Sequence, residues 1–162
     1  PILKVFIVNA SFLIAIYAEL ERQDLIDKLC ELGYELLIPK GVLEELKNGK
    51  GFVKIQKDIS SGKIKILESI LETELNNFSK RYPSLHRGEL EVIIQGLKLK
   101  DRARCILDDK RARKVSRSLG LRIIGTLGVL KLLKDNGAIN QHEFEDILRE
   151  LKQKGFRLPT KF

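Results

Sequence analysis

The chain has no tryptophan and no methionine, and it has only two cysteines and two histidines among 162 residues. Two thiols, Cys30 and Cys105, exclude a disulfide framework and a four-cysteine zinc site. Each lies in an apolar run and reads as a small core residue. His86 and His142 are isolated and read as surface residues rather than ligands or bases. Aromatic residues make up 6% of the chain, and none occurs between Tyr82 and Phe144. That long stretch offers no ring on which a nucleobase could stack. There is no HExxH, no CxxC and no phosphate-binding glycine loop, and Gly125 to Gly128 is too short a glycine signal for a dinucleotide site. Long apolar runs are missing too. Phe6 to Ala18 is interrupted by Asn9 and Ser11, well short of the roughly 20 residues that cross a bilayer. A soluble, cytoplasmic protein with no membrane partner is expected.

What is present is a foldable mixture, 43% hydrophobic and 32% charged. A disordered chain would be poorer in Leu, Ile and Val. The length suits a single domain over residues 1–162, and a domain of this size buries about 68–70% of its unfolded surface. Ile2 to Val8 is nearly all apolar, as befits a strand buried on both faces of a parallel sheet. Ser11 to Leu20 and Asp24 to Leu32 read as helices, the second closed by Gly33. Tyr34 to Ile38 is a second strand, stopped by Pro39, which opens a helix carrying Val42, Leu43 and Leu46 on one face. Phe52 to Ile59 is helical, Ile64 to Leu67 a strand and Ser69 to Arg81 a helix. Leu90, Ile93, Ile94 and Leu97 have the spacing of a core-facing helix. Strands at Ala103 to Leu107 and Leu121 to Ile124 bracket a helix over Lys110 to Leu119. Helices over Leu127 to Leu133 and Glu143 to Leu151 complete the chain. This alternation predicts a three-layer α/β/α sandwich around a central parallel sheet.

Ligands bind beyond the carboxyl ends of the strands in such a sheet. The first strand ends in Asn9, Ala10 and Ser11, and the fourth runs into Asp108 and Asp109. One of those two acids can cap the next helix while the other faces the crevice. Glu89 opens a helix beside its buried stripe, where the helix dipole alone would also favour an acid. Of the pair Glu44 and Glu45, periodicity turns Glu45 nearer the apolar face. A crevice of carboxylates repels itself unless a divalent cation such as Mg²⁺ or Mn²⁺ joins it, since these ions take hard oxygen donors.

The net charge is +8, and residues 98–122 carry nearly all of it, at +7. Arg104, Lys110, Arg111, Arg113, Lys114 and Arg117 lie in this stretch. Basic residues around a set of acids favour a phosphate-bearing substrate held through its backbone, with salt-sensitive affinity.

Val8-Asn9-Ala10-Ser11-Phe12-Leu13-Ile14 resembles the opening of a PIN domain, whose first strand ends in Asp, a small residue, Ser and an apolar pair. Arg87-Gly88-Glu89-Leu90-Glu91 resembles the Arg-Gly-Glu helix start of that family. Leu107-Asp108-Asp109 with Ala112-Arg113 and Gly120 resembles its fourth-strand segment. Gly125-Thr126-Leu127-Gly128-Val129-Leu130 resembles a prokaryotic subgroup close to the VapC-type toxin ribonucleases. The resemblance spans residues 2 to about 137. It implies Mg²⁺- or Mn²⁺-dependent cleavage of RNA, frequent homodimers and, in toxin members, an antitoxin-like protein partner. Carried over by position, its acidic site would use Glu45, Glu89 and Asp108 or Asp109. Thr126 would orient substrate or water, or cap the helix that follows. The first acid of the family falls on Asn9. An asparagine keeps an oxygen for a cation but loses one negative charge, and it cannot serve as a carboxylate base. The resemblance therefore implies a ribonuclease. The asparagine supports an alternative, an inactive nucleic-acid-binding or protein-interaction module on the same scaffold.

Overall fold

The computed structural model describes residues 3–157. Its strands are β1 (Val5–Val8), β2 (Glu35–Ile38), β3 (Ile64–Ile66), β4 (Arg104–Ile106) and β5 (Ile123–Ile124). All pair in parallel in the order β3-β2-β1-β4-β5. The helices are α1 (Ala10–Leu13), α2 (Asp24–Glu31), α3 (Lys40–Leu46), α4 (Phe52–Ser60), α5 (Glu72–Arg81), α6 (Arg87–Leu99), α7 (Lys110–Ser118), α8 (Thr126–Asp135) and α9 (Gln141–Gln153). Successive strand residues point to opposite faces. Phe6, Ile7 and Val8 are nevertheless all fully buried, so helices cover both faces of the sheet. The three-layer α/β/α architecture expected from the alternation is present.

The core is aliphatic, and full burial of each Leu, Ile or Val contributes about 1.5–3 kcal/mol. Phe6 adds a ring stacked on Tyr34 at 5.0 Å. Cys105 is buried in this core, while Cys30 is half-buried, and both thiols are free. Gly33 takes φ +91 and turns the chain out of α2 as its position in the sequence suggests.

One segment departs from the ordinary helix expected over Ser11 to Leu20. After Leu13 the helix widens into a π-helix over Ile14–Glu19. Its buried Tyr17 donates its hydroxyl to Asp58 of α4, itself 2% exposed. Gln23 completes the arrangement by donating to the other Asp58 oxygen at 2.9 Å. Gly51, at φ +90, lets the entry to α4 pack on the Tyr17 backbone, where a Cβ would come within 3.0 Å of the Tyr17 carbonyl oxygen. Burial, and then the bond to Asp58, push the Tyr17 phenol far above its ordinary range. The widened turn thus anchors the chain directly after the first strand's polar end.

The expected helix over Ser69 to Arg81 begins later, at Glu72. No helix among the described residues is long and apolar enough to cross a membrane.

Candidate active site

The chain crosses the sheet from β1 towards β2 and β3, then returns to the other side of β1 for β4 and β5. The crevice of such a sheet opens where the direction reverses, beyond the carboxyl ends of β1 and β4. Val8 and Ile106 are register partners there, so Asn9 and the segment from Leu107 to Asp109 leave the sheet side by side. An open cleft of about 430 Å³ lies at this point, lined by Asn9, Ala10, Ser11, Ile14, Glu45, Ser84, His86, Glu89, Asp109 and Arg111. Expected residues from separate stretches of sequence therefore share one cavity.

Asp108 and Asp109 divide the work differently from the simple expectation. Asp109 caps α7 through Oδ2, which accepts from the Ala112 N–H at 3.0 Å, and it also lines the cleft. Asp108 is enclosed. Its Oδ2 accepts from the hydroxyls of Ser11 and Thr126, both at 2.7 Å, and its Oδ1 accepts from the Thr126 N–H at 2.7 Å. A carboxylate with three donors already in place is a structural tie between β1, β4 and β5. Thr126 is fully buried. Its hydroxyl therefore holds Asp108 instead of facing substrate or water, and the cap position of α8 belongs to Gly125.

Glu45 and Glu89 approach the cleft from α3 and α6. Glu89 is 4% exposed, and its Oε1 accepts from the His86 N–H at 3.2 Å, capping α6. Burial pushes its carboxyl above the usual range. The charges of Asp109 and Glu45 push the same way, against His86 and the backbone N–H. Glu45 lies against the first turn of α6 at Gly88, where a Cβ would come within 1.9 Å of Glu45 Oε1. The glycine of the Arg-Gly-Glu sequence is thus the space that the Glu45 carboxylate occupies. Glu44 points out and pairs with Lys47 at 2.7 Å.

His86 is the cleft residue that sequence reasoning set aside. It lies on the surface, 59% exposed, with Nδ1 3.4 Å from Glu45 and Nε2 3.4 Å from Glu89. Position three residues before Glu89 at the head of a core-facing helix was the available signal.

The basic residues separate into groups. Arg111 lines the cleft. Lys110, Lys114 and Arg117 are exposed on α7. Arg113 turns inward and donates to the Leu107 carbonyl at 2.9 Å, and burial lowers its guanidinium pKa. Arg104 stands at the opposite end of the sheet. It donates to the Leu3 carbonyl at 3.1 Å and covers the Phe6 ring at 5.0 Å. Those contacts remove Arg104 from a nucleic-acid surface shared with α7.

Among the described residues no group of three His, Cys, Asp or Glu side chains is placed so that it could hold a metal ion. The donor chemistry of the cleft nonetheless suits a hard cation. Glu45, Glu89 and Asp109 are oxygen donors, and burial, with a smaller push from the other two charges, raises the Glu89 carboxyl. Asn9 is 4% exposed, and its Oδ1 is buried with no hydrogen-bond partner in the structure. A buried carbonyl oxygen left unpaired costs about 1–3 kcal/mol. An ion bound beside it would remove that cost.

Among curated proteins, none matches the chain in sequence. A family model described as a PIN domain matches residues 5–162, which include every strand, the cleft and both of its acidic helices. The chain belongs to the PIN-domain family, and its fold is nuclease-like.

Proposed function

We propose that the chain is a Mg²⁺- or Mn²⁺-dependent endoribonuclease whose turnover is limited by Asn9. The observation that carries this reading is Asn9, which lines the same cleft as Glu45, Glu89 and Asp109 and whose buried Oδ1 has no hydrogen-bond partner. These four residues would hold the ion. When bound, it would supply a Lewis acid and lower the pKa of water in the cleft. Glu89, in its carboxylate form, would accept a proton from an attacking water. Arg111 offers a planar fork to a phosphodiester in the cleft. Lys110, Lys114 and Arg117 extend positive charge along the outside of α7. Asp108, Ser11 and Thr126 keep the two strand ends in register beneath the site. A VapC-type toxin role would add an antitoxin-like acidic partner on this basic face, and a cytoplasmic homodimer is the assembly proposed with it.

Asn9 itself favours a second reading. With the first carboxylate replaced, the scaffold would bind RNA through α7 without cutting it. Incubation of a mixed single-stranded RNA pool with Mn²⁺ or with EDTA separates the two, run on this chain beside Asn9→Asp. Metal-dependent cleavage by both proteins supports the ribonuclease. Cleavage by Asn9→Asp alone makes this chain a silenced nuclease. Intact RNA recovered from tight complexes of both proteins supports the binding module.

A further inference from the structure

Glu91 is a buried carboxylate outside the cleft, 3% exposed. Its two oxygens are both engaged. Oε1 accepts from the Gly41 N–H at 3.1 Å, and Oε2 accepts from Arg87 Nε at 3.0 Å. Arg87 reaches on to Glu72 of α5 at 2.8 Å. Gly41 belongs to the first turn of α3, whose leading N–H groups have no partner within the helix. Its lack of a side chain leaves room for the carboxylate, since a Cβ there would fall 2.0 Å from Glu91 Oε2 and push it aside. The other end of this packing is its mirror. Gly88 in the first turn of α6 makes room for Glu45 of α3, just as Gly41 in the first turn of α3 makes room for Glu91 of α6. Two glycine–glutamate contacts therefore let α3 and α6 approach closely at their first turns. Only one of the two glutamates lines the cleft.

We infer that Glu91 is the positioning residue for Glu45, acting through the first turn of α3. A buried carboxylate is expensive unless paired and hydrogen-bonded, and an apolar side chain could fill the same volume. The charge secures a directional bond to one backbone N–H, about a turn before Glu45. Groups hydrogen-bonded to a metal ligand typically cost about 10–100-fold in metal affinity when lost. Glu91 acts one step further back, through the backbone of α3, so the loss expected here is at the low end of that range. The inference rests on Glu45 as a metal-holding residue, but its structural half stands without a metal.

The test uses the full chain and two readouts at fixed pH. Mn²⁺ affinity is measured by calorimetry. Glu45 placement is read from the His86 Nδ1 resonance, 3.4 Å from Glu45, against the Nε2 resonance, 3.4 Å from Glu89, which reports any change within α6 itself. His142 is the other histidine of the chain and serves as the internal control. Glu91→Leu should shift the His86 Nδ1 resonance and weaken Mn²⁺ binding by about tenfold. Glu91→Gln keeps an oxygen for Gly41 and should retain most of the affinity. On a Glu45→Gln background, Glu91→Leu should bring little further loss, because its effect passes through Glu45. A full additional loss there would overturn the proposal, as would unchanged resonances and affinity in folded Glu91→Leu. If Glu91→Leu does not fold, Gly41→Ala takes its place, because the added methyl displaces the Glu91 carboxylate. If the parent chain binds no Mn²⁺, the metal reading above falls, and the His86 resonances alone decide the positioning role.

Discussion

Thr126 closes on both oxygens of Asp108, its N–H on Oδ1 and its hydroxyl on Oδ2, each at 2.7 Å. Ser11 adds a third donor from α1 at the same distance. One carboxylate thereby joins the polar ends of β1, β4 and β5. The adjacent Asp109 makes a single capping bond and turns to the cleft.

The neighbouring acids should therefore separate by assay. Asp108→Asn replaces an acceptor oxygen with a donor amide facing donors. Hydrogen bonds to charged groups are worth about 1.5–3 kcal/mol, so a loss of about that size is expected in chemical denaturation. Asp109→Asn keeps a good N-cap and should change stability by well under about 1 kcal/mol, yet weaken Mn²⁺ binding. The reverse pattern would place the ion on Asp108 and leave Asp109 a simple cap.

This division shows what the sequence could and could not disclose. Strand alternation and apolar spacing determine the sheet, because burial on both faces leaves a compositional trace at Phe6, Ile7 and Val8. The same logic turned Glu45 rather than Glu44 inward. Which of two adjacent aspartates is enclosed depends on donors 97 and 18 residues away, Ser11 and Thr126. No local pattern carries that information. The π-helix after Leu13 is hidden for a similar reason, since its anchor at Asp58 is 41 residues from Tyr17. His86 looked isolated because its partner Glu45 comes from another helix. Arg104 counted as one more positive charge until its strand placed it at the far end of the sheet.

A pH dependence of the apo protein's stability is expected from Glu89. Its carboxyl binds a proton more tightly in the fold than in the unfolded chain, chiefly through burial. Below the ordinary glutamate pKa both states are protonated and nothing is lost. As pH rises from about 4 towards 7, the unfolded state ionises first, and the fold loses stability. Glu89→Gln keeps the capping oxygen and removes this loss. In EDTA its melting temperature should match that of the parent near pH 4 and exceed it at pH 7, by about 2–4 °C for each kcal/mol relieved. Equal melting temperatures at both pH values would show that Glu89 carries no such burden.

Gly88→Ala tests the space that Glu45 fills. The helix itself gains a little, because alanine is the better helix former, although by less in a first turn than the ~0.8–1.0 kcal/mol of a helix interior. The clash falls on the end of a flexible side chain, 1.9 Å from the new methyl, so Glu45 should swing aside at little expense. The expected protein is as stable as the parent or more so, with Mn²⁺ affinity reduced as far as in Glu45→Gln. Unchanged affinity in calorimetry would mean that Glu45 does not hold the ion.

The basic surface predicts a graded salt response. Removing one side chain that meets a phosphate should reduce the slope of log binding constant against log salt by about 0.7 for single-stranded nucleic acid. Lys114→Gln and Arg117→Gln should each do so in filter binding. Arg104→Gln should leave the slope unchanged, because that guanidinium lies on Phe6 and the Leu3 carbonyl. It should instead lower thermal stability. A slope change on Arg104→Gln equal to that of Lys114→Gln would refute the separation of the two ends of the sheet.

Asn9→Asp should reverse sign with metal. Without an ion, a fourth carboxylate enters a cleft where Asp109 and Glu45 already push the buried Glu89 carboxyl upward. The apo variant should therefore melt below the parent at neutral pH. With an ion, the added charge supplies the anionic donor that Asn9 lacks, and affinity should rise because it follows the number of ligand charges. Binding stabilises the fold by about 2.7 kcal/mol when free ion is about a hundredfold above its dissociation constant. Titration with Mn²⁺ should carry the variant from below the parent to above it in melting temperature. Parallel curves that never cross would place Asn9 outside the ion's reach, and its orphaned oxygen would then need another partner.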